Sequence, residues 1–271
     1  MQYDFLKNIK LVMLDMDGTI YKGSKLFDCT LPFLNFLKSN GIKYAFLSNN
    51  SSFSTDMYVK KLQKLGVNAC ADEFYISTHY TIDYLHKNMP QVKKIYLLAI
   101  PEVMQEFEAA GFELTDDTPD AFVLAFDKTL TYEKMCKGAY FLRSGVPSIA
   151  THPDVFCPAN PGEWLVDCGA MIAALEISTN KKMTVLGKPD PGILRHAAWR
   201  YNIEDMEQCM MIGDRLSTDI SVGINAGAHT CHISAEVNEF CTEKIIPDMA
   251  VHDLGVLHEI WIRQIPAQKI N

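Results

Sequence analysis

Leu11-Val12-Met13-Leu14-Asp15-Met16-Asp17-Gly18-Thr19 is the stretch from which the rest of this chain can be read. Four apolar residues in a row, with no polar break, fit a strand buried on both faces, as in a parallel sheet. The run stops on two aspartates one residue apart, in a turn loosened by Gly18. In open α/β sheets ligands bind beyond the carboxyl ends of the strands, where these carboxylates fall. Asp15 and Asp17 can both face a hard cation such as Mg2+, and one can attack while the other moves protons. A plain Asp-Gly turn is the alternative, so the decision rests on what accompanies it.

Working outward, short apolar runs alternate with amphipathic segments, the pattern of an α/β protein with a largely parallel sheet. Strands are expected at 44–47, 95–100, 121–126, 148–151, 184–186, 209–212 and 230–233. Helices are expected at about 30–40, from about Ser54 to Gly66, and at 102–110, 132–142 and 169–178. Polar turns follow the strands of the first quarter and the last third, and the block between them lacks such turns. This predicts one core, residues 1–78 and 183–271, interrupted by an α/β insertion over 79–182.

Three further strand ends carry chemistry. Ser48-Asn49-Asn50 closes the 44–47 strand with a hydroxyl and amides that can donate to phosphoryl oxygens. The bland reading is a polar turn before a helix capped by Ser54. In Gly187-Lys188-Pro189-Asp190-Pro191 two prolines pin the backbone after the lysine and present it at a helix start, where its ammonium can stabilise developing phosphoryl charge. Gly213-Asp214-Arg215-Leu216-Ser217-Thr218-Asp219 again puts acids at a strand end. Asp214 is placed for a direct metal bond, and Asp219 is expected to begin a helix running to Ala226 as a second ligand or a supporting group.

In this order, DxD, Ser-Asn, Lys and Asp resemble the four motifs of the haloacid dehalogenase superfamily. The segment between the second and third motifs looks like the C2-type α/β cap of subfamily IIA, the NagD-like or para-nitrophenylphosphatase-like branch. Thr151-His152-Pro153-Asp154 and the run from Cys168 to Glu176 are similar to that branch too. The resemblance implies a doubly wound, mostly parallel Rossmann-like core with a cap covering the active site. It implies Asp15 as nucleophile and Mg2+ ligand, and Asp17 as general acid/base whose backbone carbonyl also meets the metal. Ser48, Asn49 and Asn50 would bind the phosphoryl group, Lys188 would stabilise charge, and Asp214 and Asp219 would complete the metal site. The implied activity is Mg2+-dependent hydrolysis of a small phosphomonoester, a sugar phosphate or nucleoside monophosphate, through an aspartyl-phosphate. Asp17 favours ester cleavage over dehalogenation, since an alkoxide needs a proton and a halide does not. A phosphotransferase or mutase on the same scaffold stays open, as does a ligand-binding module without turnover.

The loop from His152 to Asp167, with Trp164 in it, is expected to overhang the site. Relatives that act on pyridoxal phosphate carry a histidine in this loop. Cys157 aligns opposite it and His152 could substitute, which lowers vitamin B6 phosphate as substrate without excluding it. Asp154 is a candidate contact to a substrate hydroxyl, with a Pro-Asp turn as the alternative. His229-Thr230-Cys231-His232 alternates across a strand, so only His229 and Cys231 would share a face, too few for zinc.

The bulk numbers agree. The 271 residues are 48% hydrophobic and carry a net charge of −8, which argues against a nucleic acid polymer as partner. No apolar run approaches a membrane span, and the N-terminus has no signal-peptide pattern. Eight scattered cysteines, none in CxxC, read as reduced thiols of a cytoplasmic protein. A homo-oligomer is compatible with the sequence, though no interface patch points to one.

Overall fold

The structure, a computed structural model, describes residues 3–158, 162–235 and 244–264, so Cys241 lies outside the described residues. In chain order it runs through β1 (Leu11–Leu14), the small hairpin β2 (Tyr21–Lys22) and β3 (Lys25–Leu26), α1 (Thr30–Ser39), β4 (Lys43–Ser48), α2 (Thr55–Lys64) and β5 (Phe74–Ile76). There follow α3 (Ser77–Asn88), β6 (Lys94–Leu98), α4 (Pro101–Ala109), β7 (Glu113–Leu114), β8 (Ala121–Leu124), α5 (Tyr132–Ser144), β9 (Ser148–Ala150), β10 (Phe156–Pro158), β11 (Trp164–Val166), α6 (Cys168–Thr179) and β12 (Thr184–Val185). The chain finishes with α7 (Pro191–Arg200), β13 (Cys209–Gly213), α8 (Ser221–Ala226), β14 (His229–Ile233), β15 (Met249–Val251) and α9 (Leu254–Ile262). Among the described residues no helix is long and apolar enough to cross a membrane.

Two compact units result, one from residues 1–48, 59–75 and 188–271, the other from 49–58 and 76–187. The first holds a six-stranded sheet in the order β15-β14-β13-β1-β4-β5, in which the pairings from β15 across to β4 are parallel. β1 lies inside it, between β13 and β4, and all four of its side chains are buried. That placement explains its unbroken apolar sequence. α1 and α9 pack through aromatic rings, Phe36 on His258 at 4.5 Å and Phe33 on Trp261 at 6.2 Å, and the indole of Trp261 donates to the Leu6 carbonyl.

The second unit is a separate five-stranded parallel sheet, β12-β9-β8-β6-β7. α5 and α6 cover a core of Tyr96, Phe122, Phe126, Phe141 and Leu175. Thr131 caps the start of α5 and Asp167 that of α6, each accepting from a first-turn backbone N–H.

The structure adds elements that were not expected, among them β5, α3, β10, β11 and α9, and it differs from expectation at the borders of the units and at Asp219. Residues 49–58, 76–78 and 183–187 group with the second unit rather than with the first. Ser51 is bonded to Thr151 and to the Phe126 N–H, and β12 pairs with β9, which ties these segments there. The expected division at residue 79 falls inside α3, whose polar start Ser77-Thr78-His79 conceals a buried helix. Asp219 does not begin a helix. It sits inside a wide helical turn, Leu216–Ile220, that precedes α8.

Candidate active site

β1 delivers Asp15 to the carboxyl edge of its sheet, and the Asp15 N–H still donates to the Ile212 carbonyl of β13 at 2.9 Å, extending the ladder by one residue. Lys188 arrives just ahead of α7, whose start is pinned by Pro191 and by Asp190 accepting from the Gly192 N–H. Its ammonium donates to Asp15 Oδ1 at 2.7 Å, Asp219 Oδ1 at 2.6 Å and the Leu47 carbonyl at 3.4 Å. Three donors thus meet three acceptors, in a side chain only 3% exposed.

Asp219 is 1% exposed, and its second oxygen accepts the Arg215 backbone N–H at 3.1 Å. The approach of this turn to β13 is close. A Cβ on Gly213 would stand 2.4 Å from the Asp219 carboxylate, so glycine is required there. Gly18 is held at φ +89°, and a Cβ would meet Asp214 Oδ2 at 2.3 Å. The glycine of DxDGT therefore supplies both the turn and the room for the Asp214 carboxylate.

Asp15, Asp214 and Asp219 each offer an oxygen, all within 4.8 Å of one another. Three carboxylates converge on one buried ammonium, with the Arg215 charge nearby, an acidic cluster that a divalent cation complements. Asp214 Oδ1 is buried without a hydrogen-bond partner among the described residues, as expected of an atom meant for a metal. The electrostatics agree. Burial, reinforced by the charges of Asp15 and Asp219, pushes the Asp214 carboxyl up to about 8. Burial also raises Asp15, to about 7, with Lys188 opposing and Asp219 adding to the rise. Lys188 itself is held protonated well above the usual lysine range, because its two carboxylate partners outweigh the cost of burial. In the Asp15–Lys188 pair the lysine carries its charge, since two acids flank it at hydrogen-bond distance. The residues present fit a hard divalent ion.

The other expected residues are placed as follows. Asp17 has an exposed side chain and is not among the three clustered carboxylates. Ser48 is the buried last residue of β4. Asn49 belongs to the second unit, where its amide donates to Asp154 Oδ1 at 3.1 Å. Asn50 accepts the Ser52 N–H at 2.8 Å and turns its amide to the Cys157 sulfur at 3.7 Å. His152 is fully buried against Asp167, so it does not stand in for a ligand-facing histidine of the loop. Trp164 lies exposed in the β10–β11 hairpin, edge-on to Phe156.

Sequence reasoning missed two groups. The Leu47 carbonyl takes the third donor of Lys188, and no residue type announces a backbone acceptor. His232, considered only as a zinc ligand, donates through Nε2 to the Asp214 carbonyl at 3.0 Å. Its partner became visible only with the register that sets Gly213 beside His232. His229 stacks on Phe5 at 4.1 Å instead.

Comparison with known proteins agrees with this arrangement. The haloacid dehalogenase-like hydrolase family matches residues 12–113, and the HAD-hydrolase-like family matches 185–257. The acid sugar phosphatase of Staphylococcus epidermidis is 30% identical over 93% of this chain and 97% of its own length. Among solved structures, a 4-nitrophenylphosphatase from Thermotoga maritima superposes with a TM-score of 0.88 at 36% identity, covering 94% of this chain and 98% of that one. NagD from Escherichia coli gives 0.84 at 27% identity, covering 91% and 97%. The chain belongs to the haloacid dehalogenase superfamily. Within it, these matches place it in the NagD-like branch of subfamily IIA, as a phosphatase with a Rossmann-like core and an inserted α/β unit.

Proposed function

We propose that this phosphatase hydrolyses small-molecule phosphomonoesters, sugar phosphates or nucleoside monophosphates, through an aspartyl-phosphate on Asp15 with Mg2+ bound. The observation that carries the reading is the buried ammonium of Lys188 shared between Asp15 and Asp219 beside the partnerless oxygen of Asp214. The acid sugar phosphatases at about the same chain length favour sugar phosphates. Carboxylate oxygens of Asp15, Asp214 and Asp219, together with the Asp17 carbonyl, would hold Mg2+, which when bound neutralises charge on the phosphoryl oxygens.

In the first step an Asp15 oxygen attacks phosphorus while the bond to the leaving oxygen breaks. Asp17 gives that oxygen its proton. In the second, Asp17 takes a proton from water, the hydroxyl attacks phosphorus, and the Asp15–phosphorus bond breaks to release inorganic phosphate. Ser48, Asn49 and Asn50 are assigned to the phosphoryl oxygens, and Lys188 to the charge that grows on them. A weak carboxylate nucleophile suffices, because a loose phosphoryl transfer depends on position and charge balance. The inserted unit, as a cap, is assigned the choice of leaving group. The net charge of −8 supports an enzyme of small phosphate esters over one that takes a nucleic acid polymer, and the eight scattered cysteines, none in CxxC, support a cytoplasmic location.

Phosphate release from para-nitrophenyl phosphate and a panel of sugar, nucleotide and cofactor phosphates tests this, with Mg2+, with EDTA and with Asp15→Asn. Activity that needs Mg2+ and vanishes in the variant is expected, with sugar phosphates ahead on the panel. Full activity in Asp15→Asn overturns the nucleophile assignment, and transfer to an added sugar in place of water turns the enzyme into a phosphotransferase.

A further inference from the structure

The second unit contains a buried polar chain that the hydrolytic mechanism does not use. His152 Nε2 lies 2.9 Å from Asp167 Oδ1, and both side chains are buried. A carboxylate only accepts, so Nε2 carries a proton, and in the neutral imidazole Nδ1 is then the acceptor. The Thr151 hydroxyl is 2.9 Å from Nδ1, and the Ser51 hydroxyl is 2.9 Å from Thr151 Oγ1. The Phe126 N–H donates to Ser51 Oγ at 2.8 Å. The donors therefore run one way, from Phe126 through Ser51 and Thr151 to His152 and on to Asp167. In the low dielectric of the interior such a one-way chain strengthens each of its members.

The chain joins four segments: the stretch after Ser48-Asn49-Asn50, the end of β8, the end of β9 and the start of α6, which Asp167 also caps through the Cys168 N–H at 2.6 Å. Two residues on from His152, the Asp154 carbonyl accepts the Gly169 N–H at 2.7 Å. The Asp154 carboxylate is thereby aimed at Asn49, whose amide it accepts at 3.1 Å. Asn49 in turn follows Ser48 by a single peptide bond.

We propose that His152 and Asp167 are positioning residues for phosphoryl transfer: they fix Asp154, Asp154 orients the Asn49 amide, and Asn49 sets the phosphate-binding end of β4. The inference rests on the assignment of Ser48 and Asn49 to the phosphoryl group. Cutting the chain displaces those donors by a fraction of an ångström to an ångström, which costs up to about 100-fold in rate when donors must match a transition state.

The test is steady-state hydrolysis of para-nitrophenyl phosphate, whose leaving group has no spare hydroxyl for Asp154 to contact, by the full-length protein with Mg2+. His152→Ala lowers kcat about 10- to 100-fold, and His152→Gln, which can still donate to Asp167, recovers most of the loss. Asp154→Ala leaves the buried pair intact, so its melting temperature stays close to wild type while kcat falls as in His152→Ala. In an Asn49→Ala background both substitutions lose most of their effect, since the element they act through is gone. A merely structural role predicts the opposite: wild-type kcat for folded Asp154→Ala, and additive losses in the double variants. Either result overturns the proposal. If wild type itself releases no phosphate, the hydrolytic reading fails instead, and the two failures are distinct.

Discussion

At the scale of single residues, the site is an exercise in charge balance. Lys188→Ala removes the shared ammonium and leaves Asp15 and Asp219 facing each other. It should lower kcat by about 10²- to 10³-fold, measured as phosphate release at saturating Mg2+. The raised carboxyls also predict how stability follows pH. A buried acid whose folded value lies above its unfolded one binds more protons folded than unfolded between the two, so stability falls as pH rises through that window. For Asp15 and Asp214 the window runs from the ordinary carboxylate range near 4 up to about 7 and 8. Lys188 stays charged on both sides and adds no slope there. Thermal melts in EDTA should therefore drop between pH 5 and pH 8 relative to melts in Mg2+. Asp214→Asn should raise the EDTA melting temperature at pH 8 while abolishing turnover, a trade of function against stability. Equal melts with and without Mg2+ across that range would contradict the assignment.

At the scale of elements, legibility followed burial and punctuation. β1 was readable because a strand between two parallel neighbours has no polar face to blur its run, and its end was marked by Asp15. Lys188 was readable because two prolines, Pro189 and Pro191, follow it and pin the backbone at a helix start. α3 was not, since Ser77, Thr78 and Thr81 are buried hydroxyl residues where a helix normally shows aliphatic ones. β10 and β11 escaped because Phe156, Trp164, Leu165 and Val166 leave their side chains exposed, so no inside–outside alternation exists to read. The placement of Asp219 failed for a different reason: a wide turn with i→i+5 bonds leaves no local composition cue. β1 also carries an element-scale expectation. Leu14→Ala opens a hole between β13 and β4 directly behind Asp15 and should cost about 2–5 kcal/mol in urea unfolding, with a larger fractional loss of kcat than of KM affinity. His232→Ala on β14 should leave the fold in place but raise the Mg2+ concentration needed for half-maximal activity by about 10- to 100-fold, because the Asp214 backbone loses its tether.

At the scale of the whole molecule, Mg2+ should act as a folding ligand. A cation present at about 100 times its dissociation constant adds about 2.7 kcal/mol to unfolding free energy, readable as a melting shift that EDTA reverses. The two-unit organisation was legible because chemistry-bearing turns occur only in the flanking parts of the sequence. Its borders were not, because hydrogen bonds made by residues as small as Ser51 decide them.

The wide sequence gap between the members of the charge cluster has a consequence for biosynthesis. Asp15 leaves the ribosome early, while Lys188 and Asp219 come only after the entire inserted unit has been made. At elongation rates of roughly 5–20 residues per second, Asp15 waits about 10–40 s for its counter-charge, and β1 waits as long for its neighbour β13. During that interval a nascent chain holds an apolar strand with an open edge, ending in an acid with nothing to neutralise it. The inserted unit, whose parallel sheet is complete once β12 has emerged, can fold in the meantime. Translation order thus makes the stretch after the inserted unit the step that closes the six-stranded sheet and brings Lys188 and Asp219 to Asp15.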